Sequence, residues 1–304
     1  MGGDEMDASD KKELEVYVNG KFYPESEAKL SVFDHGLLYG DGVYDTLCGW
    51  NGYIFRLQQH VDRLYQSAHA VKLEIPMSKK DTFDRIVETA RRTGHKNLYL
   101  KCYVTRGVGP QPLLDPRNCK PSVVIFGKPY LWLIDPKKSE NGLTAKITNV
   151  RRTPDQCIDG KIKNLNYLNI VLAKMEAIES GMDEAIMPGL DGQILEGPGY
   201  NVFMVKNKVV ITPPPGNILM GITRGACLDM AREFGLEILE VPISVYDLYN
   251  ADEVFLSSTA GGVVGIRAID GRKIGDGKPG PITQKMYKTY FDWLETGRDG
   301  TRFF

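Results

Sequence analysis

What this sequence has little of narrows its chemistry before any motif is considered. Its four histidines, His35, His60, His69 and His95, stand alone, none beside another ligand type at metal-site spacing. Neither a structural nor a catalytic metal is expected. The five cysteines, Cys48, Cys102, Cys119, Cys157 and Cys227, are odd in number and show no Cys-x-x-Cys spacing, so they read as reduced thiols. No apolar run approaches the ~20 residues that cross a bilayer, and residues 1–15 are acidic and polar rather than leader-like. Basic and acidic side chains number 38 and 39, for a net charge of −1, without a block of five or six like charges. That balance excludes a nucleic-acid or polyanion footprint. The default class is a cytoplasmic enzyme or binding protein.

The chain is long enough for two domains, since single domains most often run ~100–150 residues. Residues 1–13 read as a disordered lead-in. Order begins with Glu15-Val16-Tyr17-Val18, and the Asn19-Gly20 that follows is a tight hairpin turn. Val43-Tyr44-Asp45-Thr46-Leu47 and the turn Asn51-Gly52 repeat the pattern, so both belong to one antiparallel sheet. Leu57, Val61, Leu64, Ala68 and Val71 recur at helical spacing. A second helix starts at Ser78, which forms a capping box with Asp81, and stops at Gly94. Residues 98–105 alternate, with Leu98, Leu100, Cys102 and Val104 on one face and Tyr99, Lys101, Tyr103 and Thr105 on the other. That second face is either solvated or a pocket wall offering one cation and two hydroxyls to an anion. Prolines break up 107–121 before a strand at 122–126. Gly127, Pro129 and Pro136 place a domain boundary at 127–138, between a smaller domain of 14–126 and a larger one of 139–304.

The larger domain is organised around residues 161–175. Leu165, Leu168, Leu172 and Met175 recur every three or four residues, the stripe of a helix packed on a core. Lys163 stands just before it. Apolar surroundings there would lower the pKa of its amine and free the lone pair for attack on a carbonyl; the plain alternative is a solvated lysine at a helix start. Strands follow at 184–187, 193–195, 202–205 and 209–212. Glu196 closes one of them before Gly197-Pro198-Gly199, either facing water or meeting a flat ligand that the glycines let approach the backbone. Gly221-Ile222-Thr223-Arg224 opens a helix whose N-terminus suits a phosphate, with Thr223 as a possible N-cap. The strand at 253–257 leads to Thr259-Ala260-Gly261-Gly262, a hydroxyl and glycine loop fit for phosphate or carboxylate oxygens. A last helix spans 282–294. There is no internal repeat, P-loop, nucleophile elbow or dinucleotide fingerprint.

Five separated features, Lys163, Glu196, the helix N-terminus, the hydroxyl and glycine loop, and Arg56 after Tyr53-Ile54-Phe55, ask for one ligand. A phosphorylated cofactor with an aldehyde and a protonatable ring nitrogen, pyridoxal 5'-phosphate, would use all of them. At this point the sequence resembles the class IV aminotransferases, the fold-type IV family of branched-chain amino-acid, D-amino-acid and (R)-amine transaminases. The matches are Ile162-Lys163-Asn164-Leu165-Asn166-Tyr167-Leu168, Asp191-Gly192 to Glu196-Gly197, Gly221-Ile222-Thr223-Arg224, and Phe33-Asp34-His35-Gly36 with Tyr39-Gly40-Asp41-Gly42. The resemblance implies an α+β two-domain fold, with a small N-terminal α/β sandwich and a larger C-terminal pseudo-barrel, and a homodimer. It implies that Lys163 forms the Schiff base and shuttles the proton, that Glu196 faces the ring nitrogen and that Tyr167 bonds the phenolic oxygen. Arg56, Thr259 and the backbone of Ile222 and Thr223 would hold phosphate, with Leu219 on the ring. Tyr39, Tyr44, Tyr99, Lys101, Thr259 and Ala260 would meet an amino-acid or amine donor and a 2-oxo-acid acceptor.

Departures from the branched-chain pattern keep other readings open. Where those enzymes carry a tyrosine and an arginine two apart, this chain has Tyr99-Leu100-Lys101; where they end the late loop Thr-Ala-Ala-Glu, it has Thr259-Ala260-Gly261-Gly262. Thr46 with Lys101 resembles aminodeoxychorismate lyase. The late loop, Val150-Arg151-Arg152-Thr153-Pro154 and Pro129-Tyr130-x-Trp132 resemble (R)-amine transaminases. The leading expectation is a branched-chain-like transaminase, with an (R)-amine or D-amino-acid transaminase, a lyase of that type and a non-catalytic pyridoxal-phosphate binder as alternatives.

Overall fold

The structure, a computed structural model, describes residues 13–132 and 136–304. The lead-in expected at 1–13 therefore lies outside the described residues except for Glu13, as do residues 133–135 of the boundary expected at 127–138. The chain first lays down β1 (Glu15–Val18), β2 (Lys21–Pro24), the short α1 (His35–Tyr39), β3 (Gly42–Trp50), β4 (Tyr53–Phe55), α2 (Leu57–Ala70), α3 (Lys79–Arg92), β5 (Leu98–Val108) and β6 (Lys120–Pro129). After α4 (Pro136–Asn141) come β7 (Leu143–Ile147), α5 (Leu168–Glu179), β8 (Glu184–Pro188), β9 (Ile194–Gly197), β10 (Tyr200–Lys206) and β11 (Val209–Thr212). The remainder is α6 (Ile222–Glu233), β12 (Ile238–Glu240), α7 (Val245–Tyr249), β13 (Glu253–Ser258), β14 (Gly262–Ile269), β15 (Arg272–Lys273), α8 (Pro281–Thr296) and β16 (Gly300–Arg302).

These strands form two sheets. The first is antiparallel in the order β16-β4-β3-β5-β6-β1-β2, so the C-terminal strand returns to the N-terminal half, with Thr301 opposite Ile54. In the second, β9 pairs with both β8 and β10, so that β10, β13, β14, β7, β8 and β9 close on themselves as a six-stranded barrel. The fold is thus the α+β, two-layered N-terminal unit and C-terminal pseudo-barrel of fold type IV. Among the described residues no helix is long and apolar enough to cross a membrane.

The alternation of β5 puts Leu98, Leu100, Cys102 and Val104 at full burial against α2 and α3, where a buried leucine contributes ~1.5–3 kcal/mol. Tyr99 and Lys101, one residue out of phase, face the other way, toward the barrel. The helix α3 carries the expected capping box, with Ser78 and Asp81 each accepting from the other's backbone N–H.

Helix α5 corrects one expectation. The stripe of Leu168, Leu172 and Met175 is 45–73% exposed, while Ile170, Ala173 and Ala177 are buried against Ala185 and Met187 of β8. Two alanines on that side let the helix lie close to the strand, and the bulky residues are turned outward.

Candidate active site

A cavity of about 340 Å³ lies between the outer face of the first sheet and the barrel. Lys163 enters it from an extended segment rather than from the edge of a helix. Residues 163–165 run along the free side of β3: the Tyr44 N–H donates to the Lys163 carbonyl at 2.9 Å, the Leu165 N–H donates to the Gly42 carbonyl at 3.0 Å, and Val43 bridges to Asn164. The Lys163 N–H in turn donates to Ser67 Oγ of α2 at 3.1 Å. The backbone that carries the amine is thereby held against β3 and α2, and the residue is 9% exposed.

Glu196 borders the cavity at the end of β9. Its Oε1 accepts from Arg152 Nε at 2.6 Å and its Oε2 from the Leu219 N–H at 2.9 Å, so both oxygens are aimed and held. The N-terminus of α6 forms another part of the wall. Gly221 is the N-cap of α6 and no side chain caps it, which leaves first-turn N–H groups for a ligand. A Cβ on Gly221 would come within 2.1 Å of Asn201 Oδ1, so only glycine fits. Thr223 is not the N-cap; it stands at the second helical position, buried beside the cavity.

The structure brings Tyr44, Tyr99, Lys101, Lys163, Tyr167, Glu196, Leu219, Ile222, Thr223, Thr259 and Ala260 into one lining, and leaves out two expected members. Arg56 is one. It sits in a left-handed conformation (φ 46°) before α2, with its guanidinium on Asp229 at 2.8 Å and Asp299 at 2.9 Å. Arg63, two turns along α2, lines the cavity instead. Its Nε and Nη2 fork onto Asp45 at 2.9 and 2.7 Å, and its Nη1 donates to the Met220 carbonyl at 3.0 Å, next to the N-terminus of α6. The other is Tyr39, which lies on the surface at the end of α1 with its hydroxyl donating to the Pro112 carbonyl. Arg63 could have been found: His60, Arg63 and Ser67 form a polar strip at helical spacing inside an apolar helix. Arg152, Asn201, Ser257 and Ser258 also line the cavity, and nothing local in the sequence marks them.

Electrostatics sharpen the picture. Burial opposes a charge on Asp45, yet the Arg63 guanidinium and His60 hold its carboxyl well below the usual range. Burial, and after it the Lys163 ammonium, pulls Lys101 below the ordinary lysine value. Ser257 Oγ, Ser258 Oγ and Tyr200 OH are buried at the cavity with only each other and a thiol near them, Tyr200 beside Ser258 and Ser257 beside Cys227, and a ligand oxygen is a better acceptor than either. A helix N-terminus with Arg63 beside it, an amine, a carboxylate and buried hydroxyls in one lining fit a molecule with a phosphate, a carbonyl and a basic ring nitrogen. Pyridoxal 5'-phosphate is such a molecule.

Comparison with known proteins agrees. The class IV amino-transferase family profile matches residues 42–269. A provisionally named branched-chain-amino-acid aminotransferase of Methanocaldococcus jannaschii is 43% identical over 281 residues, 92% of this chain and 96% of that protein. The crystal structure of the Thermoproteus uzoniensis branched-chain aminotransferase with norvaline superposes with a TM-score of 0.90 at 34% identity, covering 96% of this chain and 100% of that one. The Thermobaculum terrenum branched-chain amino acid aminotransferase, crystallised in its PLP holo-form, gives 0.86 at 27% identity, covering 93% and 94%. The cavity's fit to the cofactor and the family's span over most of the chain lead to one assignment: this protein belongs to the class IV aminotransferases, the pyridoxal-phosphate-dependent transaminases.

Proposed function

We propose that this transaminase moves the amino group of branched-chain L-amino acids to 2-oxo acids, with Lys163 as its catalytic residue. The observation that carries the reading is the buried Lys163 amine set in one cavity with the carboxylate of Glu196, Arg63 and the N-terminus of α6. When bound, the cofactor supplies an electrophilic carbonyl and a ring that takes up the electron pair left on the substrate's α-carbon. The protein does the rest. Lys163 would carry the proton from that α-carbon to the carbon that bore the cofactor's carbonyl, serving as base at the first and as acid at the second. Glu196, aimed by Arg152 and the Leu219 N–H, keeps a proton on the ring nitrogen. Arg63 rather than Arg56 meets the phosphate, together with the first-turn N–H groups of α6 and the Thr223 hydroxyl. Tyr167 bonds the phenolic oxygen, Leu219 packs on the ring, and the Thr259-Ala260 turn borders the donor. Lys101 holds a substrate carboxylate. The donor leaves as a 2-oxo acid before the acceptor enters, so one pocket serves both half-reactions.

Relatives at 31–43% identity bear branched-chain names, which supports that donor class. The Gly261-Gly262 pair, which pointed toward (R)-amines, has a local cause. A Cβ on Gly261 would lie 2.9 Å from Ser258 Oγ and 3.2 Å from the Tyr200 ring, and Gly262 has φ +64° beneath Phe291.

A second copy of this chain completes the molecule in this reading. Val32, Phe33, Leu37 and Leu38 are exposed, as are Leu168, Leu172, Met175 and Ile178. Asn166 Nδ2 donates to the Gly40 carbonyl at 3.0 Å and so joins the end of α1 to the segment that leads into α5. That bond brings the ends of the two exposed apolar stretches near each other, and exposed apolar surface of this kind suits an interface.

The test is the absorbance of the purified protein mixed separately with L-leucine, D-alanine and (R)-1-phenylethylamine, without an acceptor. The expected result is conversion of the cofactor to its amino form by L-leucine. Conversion by D-alanine or the amine alone would overturn the donor assignment. Lys163→Ala is expected to lose turnover with every donor, and steady transamination by that variant would sink the role given to Lys163.

A further inference from the structure

Tyr44 touches the catalytic segment at three levels. Its backbone N–H donates to the Lys163 carbonyl at 2.9 Å. Its ring lies 4.6 Å from Lys163 Nζ and 4.5 Å from Lys101 Nζ, distances at which ammonium groups are attracted to an aromatic face. Its hydroxyl donates to the Tyr167 hydroxyl at 2.5 Å, with the two rings edge-on at 5.6 Å. Tyr44 belongs to β3 and Tyr167 is the N-cap of α5, so the contact ties together residues 123 positions apart.

We propose that Tyr44 is a positioning residue that acts through Tyr167: by donating to the Tyr167 oxygen it makes Tyr167 the stronger donor to the cofactor's phenolic oxygen. The inference rests on the reading above, in which the cofactor lies beside Lys163 and Tyr167. A hydroxyl oxygen that accepts a hydrogen bond gives up its own proton more readily, because chained hydrogen bonds polarise one another. The direction of the chain is set by burial. Tyr44 is 8% exposed and its hydroxyl has Tyr167 as its acceptor. Burial, then the neighbouring Tyr167, raises Tyr44 well above the ordinary phenol range, so it keeps its proton and remains the donor. The groups that face it are Lys163 and Lys101 over the ring, Tyr167 at the hydroxyl, Asp45 beside it in β3 and Tyr99 from β5.

The chain has a spectroscopic consequence. A stronger donor stabilises negative charge on the phenolic oxygen and lowers the proton affinity of the nitrogen conjugated with it. Tyr44 therefore lowers the pH midpoint at which the bound cofactor's visible absorbance changes. Removing the hydroxyl raises that midpoint.

The experiment is an absorbance titration of the holoenzyme without substrate. Tyr44→Phe keeps the ring under both ammonium groups, and its midpoint is expected to rise by about half a pH unit, the scale of a 10–30% weakening of a charge-assisted bond. Tyr167→Phe is expected to rise further. The double variant is expected to match Tyr167→Phe alone, since the Tyr44 hydroxyl acts through Tyr167 and the ring is kept. An unmoved midpoint in Tyr44→Phe, with only the donor KM changed, would show Tyr44 to be a pocket wall and overturn the proposal. A double variant shifted beyond Tyr167→Phe would overturn it as well. The absence of any cofactor band in the unmutated protein would instead bring down the reading on which it rests.

Discussion

Helices α2 and α5 carry the same kind of pattern and use it in opposite ways. In α2 the residues Leu57, Val61, Leu64 and Ala68 are 1–2% exposed, and the polar strip beside them delivers Arg63 to the cavity and Ser67 to the Lys163 N–H. In α5 the equally regular Leu168, Leu172 and Met175 face outward, while small residues meet β8. Both periods announce an amphipathic helix. Neither states whether the apolar face meets its own core or another chain's, because spacing reports a face and not what covers it. The difference lies in the remaining residues of each helix. In α2 the remaining positions are polar, some buried on Asp45 and Lys163 and the others in water, whereas in α5 Ile170, Ala173 and Ala177 offer a second, slimmer apolar face that fits closely on a strand.

The largest effect that would separate the two helices is on stability. Leu64→Ala empties a site that is 1% exposed, and such truncations cost ~2–5 kcal/mol. The urea midpoint is expected to fall by that amount irrespective of protein concentration. Leu172→Ala, at a site 45% exposed, is expected to leave a lone chain within ~0.5 kcal/mol of the original and to weaken self-association seen by sedimentation. Equal, concentration-independent losses in both variants would break the comparison.

The same contrast marks what could be read from the sequence. The Asn19-Gly20 hairpin, the capping box of Ser78 with Asp81 and the alternation of β5 were legible because each is decided by residues a few positions apart. Lys163, Glu196 and the α6 N-terminus were legible as separate features and through resemblance to a family. Partners distant in sequence were not. Arg152 finds Glu196 across 44 positions, and Arg56 finds its acids 173 and 243 positions away. An arginine beside a strand end looks the same whether it faces a phosphate or two aspartates, and only the tertiary fold decides.

That decision can be tested one step down in size. Arg63→Gln removes a charged hydrogen bond of ~1.5–3 kcal/mol from the phosphate end, so cofactor dissociation measured by dialysis is expected to rise ~10–100-fold. Arg56→Gln breaks its pairs with Asp229 and Asp299 away from the cavity and is expected to leave cofactor affinity within about twofold, with the cost appearing in thermal unfolding. A loss of affinity in Arg56→Gln as large as in Arg63→Gln would return the phosphate to Arg56 and make α2 a helix that serves the core alone.

The smallest effect concerns Lys101, on the sheet face that looks across the cavity toward α5. Burial and the nearby Lys163 favour its neutral form, so its folded pKa is lowered. A lysine shifted downward loses its proton at a lower pH than a solvated lysine, which titrates near ~10.4. If that ammonium holds a substrate carboxylate, affinity declines as pH rises through the lowered value. The acceptor is the better probe than the donor, because a 2-oxo acid has no amine of its own to titrate. The KM for 4-methyl-2-oxopentanoate is expected to rise several-fold with increasing pH in the unmutated enzyme, at lower pH than the ~10.4 of a solvated lysine. In Lys101→Arg, whose charge persists above pH 12, the KM is expected to stay flat, and in Lys101→Met to be high and flat throughout. A KM that climbs identically in all three would assign the titration to another group and reduce Lys101 to part of the wall.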